Sequence, residues 1–309
     1  MQISRRNFLL SGSLALAGTA LMPRSLSAMA KAKDVLSIQL YSVRADMKQD
    51  PLGTLKKVAE MGYKNVEHAN YINRKFYGWT AQEFKKVLAD LGLSMPSGHT
   101  VMGKQHWDAD KKDFTDAWKY TVEDAAVLGQ KFVISPWLDE SLRQNIDDFL
   151  RYMEVFNKSG ELCKKSGMKF GYHNHDFEFS QQLNGQKVFD LILQNTDPTL
   201  VAQQLDIGNM YHAGGIALDI IKKYPNRFEL MHVKDEIKTA GKGEMGGHGG
   251  GYESTVLGKG IIPIKEIIEI GKKSGGTKYF VIEQESYQGI SPLDCIQQDY
   301  AVMKKYGFK

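Results

Sequence analysis

Gly171-Tyr172-His173-Asn174-His175-Asp176-Phe177-Glu178 ends a run of apolar residues, Met168 to Tyr172, with three metal-competent side chains, His173, His175 and Glu178. Three later apolar runs end the same way. Val201 to Leu205 ends in Asp206, Phe228 to Met231 ends in His232, and Tyr279 to Ile282 ends in Glu283. Four strand-like segments in series thus each deliver a ligand-type side chain at their C-terminal ends. A parallel barrel gathers such ends around one point.

Working outward, short β-rich runs alternate with amphipathic helical runs from Val35 onward. The strands read as Val35 to Tyr41, Asn65 to His68, Ser94 to Gly98, Phe132 to Ser135, Met168 to His173, Thr199 to Asp206, Phe228 to Val233 and Tyr279 to Glu283. Helices are expected over Leu52 to Met61, Thr80 to Leu91, Lys111 to Leu128, Leu142 to Ser166, Val188 to Gln194, Ile216 to Tyr224, Ile264 to Lys273 and Pro292 to Tyr306. Thr80 with Glu83 three residues on is a capping box, and Gly62, Gly92, Gly129 and Gly167 stop the preceding helices. Eight βα units imply right-handed crossovers and an α/β fold, a single (β/α)8 TIM barrel. A doubly wound open sheet is the competing fold, but no GxGxxG follows the first strand. The chain's 309 residues suit one such barrel. The glycine-rich stretch Ile237 to Gly260 falls after strand 7 and reads as a loop over the barrel mouth.

Residues 1–30 are set apart from the 31–309 catalytic barrel. Arg5-Arg6 precede Asn7-Phe8-Leu9-Leu10 and an uncharged run to Met22, and Ala28-Met29-Ala30 offers a cleavage site. This resembles a twin-arginine export signal, so a periplasmic enzyme is expected. The run is too short for a permanent span, and no membrane association is expected after its removal. It carries Arg5, Arg6 and Arg24 and no acid, so removal takes the net charge from +4 to +1. That balance leaves no electrostatic footprint for nucleic acid. Cys163 and Cys295 have no CxxC partner and read as buried thiols.

Asp206, His232 and Glu283 are the firmest ligand candidates. Carboxylates plus an imidazole suit one divalent ion, Mn²⁺, Mg²⁺, Co²⁺ or Zn²⁺, with open positions. Salt bridges to Lys or Arg would be the alternative use of the two acids. His173 and His175 share one strand face by alternation. Tyr41, Trp137, Tyr172 and Tyr211, near strand ends, are candidates for stacking on a sugar.

At this point the chain resembles the sugar phosphate isomerase/epimerase superfamily, the xylose-isomerase-like barrels. The likeness rests on Gln39-Leu40-Tyr41-Ser42-Val43-Arg44, Glu67, Gly98-His99, Tyr172-His173-Asn174-His175, Leu205-Asp206-Ile207-Gly208-Asn209, Met231-His232-Val233-Lys234-Asp235 and Ile282-Glu283-Gln284-Glu285. It covers essentially the whole mature chain. It implies a metal held by Glu, Asp, His and Glu from strands 5 to 8. Three of these match as Asp206, His232 and Glu283. The fourth position aligns with His173; Glu178, bending back, is favoured as fourth ligand because a third carboxylate better offsets the divalent charge, with His173 the alternative. His173 or His175 is then the expected base, with Glu283 also implied to exchange a proton. Gln39, Glu67, His99 and Lys234 are the expected substrate holders.

The implied activity is isomerisation or epimerisation of a free sugar or keto-sugar, through proton abstraction beside a carbonyl. Export and the lack of a phosphate cradle argue against a phosphorylated substrate. A lyase or hydratase cleaving 3-keto-glycosides by β-elimination shares the first step. A non-catalytic sugar-binding protein is the third reading, and a multi-metal endonuclease is disfavoured by the charge. The expected partner is a small-molecule sugar or glycoside, and homo-oligomer formation stays open.

Overall fold

The computed structural model describes residues 34–239 and 251–309. Residues 1–33, which include the expected signal, and 240–250, which include most of the glycines of the stretch after strand 7, lie outside the described residues. Eight parallel strands close into a barrel: β1 (Val35–Gln39), β2 (Asn65–His68), β3 (Ser94–His99), β4 (Phe132–Ser135), β5 (Lys169–His173), β6 (Val201–Asp206), β7 (Leu230–Val233) and β8 (Tyr279–Ile282). Val35 pairs with Tyr279 to seal the ring. Crossover helices α1 (Pro51–Glu60), α2 (Ala81–Asp90), α3 (Asp116–Leu128), α4 (Ile146–Lys165), α5 (Val188–Asn195), α6 (Ala217–Lys223), α7 (Ile264–Ile270) and α8 (Pro292–Lys305) cover it. No described helix is long and apolar enough to cross a membrane.

Local sequence explains the boundaries. Thr80 and Glu83 form the expected capping box at α2. Gly129 ends α3 in the left-handed conformation that only glycine adopts freely. Helix α3 starts later than the sequence suggests, because residues 107–114 form a small antiparallel hairpin. Similar hairpins pair Tyr71–Ile72 with Lys75–Phe76 and Gln182–Leu183 with Gln186–Lys187. The stretch after β7 is not all loop. Asp235–Lys238 pairs with Tyr252–Thr255, and Asp235 accepts backbone N–H groups from Gly258, Gly260 and Ile262.

Two layers of core position the site. Most apolar side chains lie between strands and helices. A small separate cluster, Phe132, Ile134, Ala202 and Leu230 with Tyr279 against it, fills the barrel's interior. Gly171 is required there. A Cβ on it would lie 2.4 Å from Ile134 Cδ1, so any larger residue would force that buried side chain to repack. Above this plug the inward residues turn polar. Both cysteines are buried free thiols.

Candidate metal centre

Four strand ends deliver the centre. His173 closes β5, Asp206 closes β6, His232 lies opposite Asp206 in the β6–β7 register, and Glu283 follows β8. Ligand-type atoms of these four buried residues lie within 4.8 Å of one another. His232 Nδ1 is 3.1 Å from Glu283 Oε2 and 3.8 Å from Asp206 Oδ2, and His173 Nε2 is also 3.8 Å from Asp206 Oδ2. Ligand bonds of roughly 2 Å to one shared ion span such separations.

The surrounding hydrogen bonds orient the rings. Glu67, fully buried, can only accept. Burial alone would raise its carboxyl, but the imidazoles of His99 and His232 outweigh this and hold it well below its usual range. Gln204 Nε2 and Gln39 Nε2 each donate to Glu67 at 2.8 Å. That fixes Gln204 Oε1 as the acceptor facing His99 Nε2 at 2.7 Å and His173 Nδ1 at 3.1 Å. His173 therefore carries its proton on Nδ1 and turns the Nε2 lone pair towards Asp206. Burial, with repulsion from His232, His99 and His175, pushes its pKa well down, so it is the neutral imidazole a metal needs. His232 Nε2 lies 2.7 Å from Glu67 Oε1. This leaves Nδ1 facing Glu283, the carboxylate–histidine–metal arrangement.

Asp206 uses its two oxygens differently. Its Oδ1 accepts from Asn209 N at 2.7 Å and caps the short helix Ile207–His212. Its Oδ2 is buried and accepts no hydrogen bond, with the Lys234 ammonium 3.2 Å away. A buried carboxylate oxygen without a hydrogen bond is costly unless a cation serves it. Lys234 serves it in part, and the donor set itself fits a divalent ion: two carboxylate oxygens and two imidazole nitrogens, with a hydrogen-bonded outer layer.

Charge is balanced around Lys234. Its Nζ lies 2.9 Å from both Glu283 Oε2 and Glu285 Oε2. Burial disfavours the ammonium, but Asp206, Glu283 and Glu285 hold its pKa well above the ordinary value. Burial likewise works against His232, yet Glu283 and Glu67 hold it up to about 10, so metal binding there displaces a proton. Burial opposes ionisation of Glu283 too, but Lys234 and His232 keep it well below the usual range. That suits a ligand more than a general base.

Several expected roles are placed differently. Glu178 is not with the four. It is buried behind β5, its carboxylate accepting from Tyr172 Oη and from His175 N. Side chains alternate across a strand, so Tyr172 points away from His173, and the turn Phe177–Ser180 folds Glu178 onto that outer side. His173 occupies the fourth corner. Gln39 and Glu67 do not reach the cleft and instead brace the imidazoles. Lys234 is likewise buried among carboxylates and pairs with Glu285. Of the expected substrate holders, His99 lines the cleft. Trp137 and Tyr41 also line it, and His175 stands against Trp137 with ring centres 5.2 Å apart. Tyr172 is buried in the core, and Tyr211 packs on Tyr252 outside the cleft. The sequence reading missed Gln204, although it lies two residues before Asp206 and so on the same face.

The burial of Glu178 has a measurable consequence. Burial raises its carboxyl from 4.5 to about 7. The folded chain then holds a proton that the unfolded chain has released. Stability from this group is full below about pH 4.5 and is lost as pH rises towards 7, by up to about 3 kcal/mol. We expect Glu178→Gln to flatten that part of the urea-unfolding stability profile between pH 5 and pH 8 and to keep the metal content of the wild type. A metal-free Glu178→Gln protein would return Glu178 to the ligand set.

With this geometry described, comparison with known proteins places the chain in the xylose isomerase-like TIM barrel family, whose model matches residues 55–306. An inosose dehydratase of Clostridium perfringens is 29% identical over 168 residues, 52% of this chain and 55% of the relative. The alignment thus spans about half the length of the relatives it matches. A sugar phosphate isomerase/epimerase from Parabacteroides distasonis superposes with a TM-score of 0.72 at 25% identity, covering 90% of this chain and 96% of the other. The IolI protein with a bound zinc atom shares the fold, with a TM-score of 0.67 at 13% identity over 88% of this chain and 97% of that one.

Proposed function

We propose that the chain is an exported, metal-dependent isomerase or epimerase of a free sugar or keto-sugar. The convergence of His173, Asp206, His232 and Glu283 at the C-terminal mouth of the barrel carries this reading. A divalent cation held by these four residues would polarise the substrate carbonyl and acidify the adjacent C–H. His175, on the cleft wall beside the centre, takes that proton. For isomerisation that proton returns to the neighbouring carbon while the hydroxyl proton of the resulting enediol passes to the former carbonyl oxygen; for epimerisation a proton is returned to the same carbon on its opposite face. Glu283 stays ionised as a ligand, burial pushes the Asp206 carboxyl up so that the cation would be what keeps it ionised, and Lys234 holds Glu283 and Glu285 in place. His99 presents its imidazole to the substrate, fixed by Gln204 and Glu67. The zinc of the IolI protein supports the metal, and the sugar phosphate isomerase/epimerase neighbour supports sugar isomerisation or epimerisation as the reaction class.

The likeness to inosose dehydratases supports a second reading, a lyase or hydratase. There the same α-proton goes to His175, and the proton is then delivered to the departing oxygen as the C–O bond breaks. Incubating the enzyme with free and 3-keto sugars in D₂O, with and without EDTA, tests both. Chelator-sensitive deuterium uptake beside the ketone is expected. Uptake with no loss of a substituent indicates the isomerase, and loss of one indicates the lyase. Chelator-insensitive binding with no exchange for any sugar would leave only a sugar-binding protein.

Export is part of the proposal. Arg5→Lys with Arg6→Lys is expected to strand an uncleaved precursor in the cytoplasm. Normal recovery of that double variant from the periplasmic fraction would remove the twin-arginine reading.

A further inference from the structure

The cleft above the metal centre is larger than one sugar ring needs. It encloses about 940 Å³, near the top of the roughly 300–1,000 Å³ range of small-molecule sites. Its inner end is polar, where His99, His173, His175 and Glu283 reach it. Its outer end combines apolar faces with polar side chains such as Asn70, Asn73 and Thr121. Eight large apolar side chains are exposed among the described residues, and five of them, Tyr41, Ile72, Val101, Tyr120 and Trp137, line this one cleft. Scattered exposed apolar residues are ordinary, but a concentration in one concave surface marks a binding surface.

The outer wall is also rigidly built. The hairpin Tyr71–Phe76 turns through Asn73 and Arg74, both with positive φ (51° and 61°). Glycine usually takes the second of these positions, and Arg in the left-handed region is strained. That conformation places the Arg74 guanidinium in two hydrogen bonds to Asp124, at 3.0 and 2.7 Å, and 4.1 Å over the Tyr120 ring. Tyr71 Oη donates to the same carboxylate at 2.6 Å. The hairpin is thereby clamped to α3, and Tyr120 is braced from one side. Asp124 neutralises Arg74, so this hairpin wall offers ring surface; Arg44, elsewhere on the cleft, is held by the carbonyls of Tyr41 and Glu285 and by Tyr287 Oη.

We propose that the outer end is a second subsite for the group glycosidically attached to the reacting sugar, and that this group is an aromatic or pyranosyl ring. The proposal rests on the reading of the inner end as a sugar site. A preformed apolar wall with exposed ring faces binds a flat ring with little ordering cost. The keto-sugar of that reading then carries a glycosidically attached ring.

Calorimetry on the metal-loaded enzyme with methyl and 4-nitrophenyl 3-keto-glucopyranosides, both anomers, tests this, with deuterium exchange followed for each. The compounds share the reacting ring and differ in the attached group. The nitrophenyl compound is expected to bind at least about tenfold tighter. Tyr120→Ala and Ile72→Ala should each cut that ratio at least about threefold, in variants checked for wild-type Tm and metal content. Equal affinities for the two compounds in the wild type, a readout that needs no variant, would overturn the subsite. An unchanged ratio in both variants would also overturn it. If the methyl compound exchanges deuterium in either case, the reading of the inner end stands. Absence of binding and exchange with both compounds overturns the inner reading and the subsite with it.

Discussion

Asp206→Asn and Glu283→Gln are each expected to give a folded protein that purifies nearly free of divalent metal and shows no detectable turnover. The choice of amides matters. The asparagine of the first variant retains an Oδ1 that can accept from Asn209 N, and so keeps the cap that Asp206 provides. Both amides keep side-chain volume, so loss of metal is separated from loss of packing. Removing a ligand itself should cost more than the roughly 10–100-fold in affinity that loss of an outer hydrogen-bond partner costs. His173→Ala should lose metal as well, because Nε2 is one of the two imidazole nitrogens in the group. Metal content measured by mass spectrometry on the purified variants, beside their Tm, checks all three. Wild-type metal content in His173→Ala would remove His173 from the ligand set.

His175→Ala should separate chemistry from metal binding. His175 lines the cleft but is outside the four-residue group. Its loss should leave metal content unchanged and slow deuterium uptake beside the ketone by about 10²–10⁴-fold, roughly 3–5 kcal/mol in the barrier. Its backbone N–H anchors Glu178 at 2.9 Å, and alanine keeps that bond. Normal exchange in this variant would move the base elsewhere, with His173, His99, His106 and Glu285 among the groups on the cleft that could accept a proton.

The barrel is legible in the chain because its strands are short apolar runs whose last inward residue is polar. That pattern locates β5 to β8 to within about two residues, and with them Asp206, His232 and Glu283. The small hairpins are not legible. Tyr71–Ile72 and Trp107–Asp108 are two-residue strands, too short for any alternation to show. Glu178 misleads for a different reason. Its charge suits a metal, but it lies past the end of β5, and chain direction after a strand is set by the following turn. Alternation within β5 already favours His173, whose side chain shares the inward face with Gly171. The same parity argument picks out Gln204. The bracing roles of Gln39 and Glu67 depend on contacts between strands far apart in sequence, such as Glu67 with His232, which no local pattern encodes.

The central claim is that one divalent cation sits among these four side chains. The most direct measurement is a crystal structure of the Mn²⁺-loaded protein with an anomalous difference map. The account predicts a single strong peak bounded by His173 Nε2, Asp206 Oδ2, His232 Nδ1 and Glu283 Oε2. A map with no peak there, or with the peak beside Glu178, would contradict it.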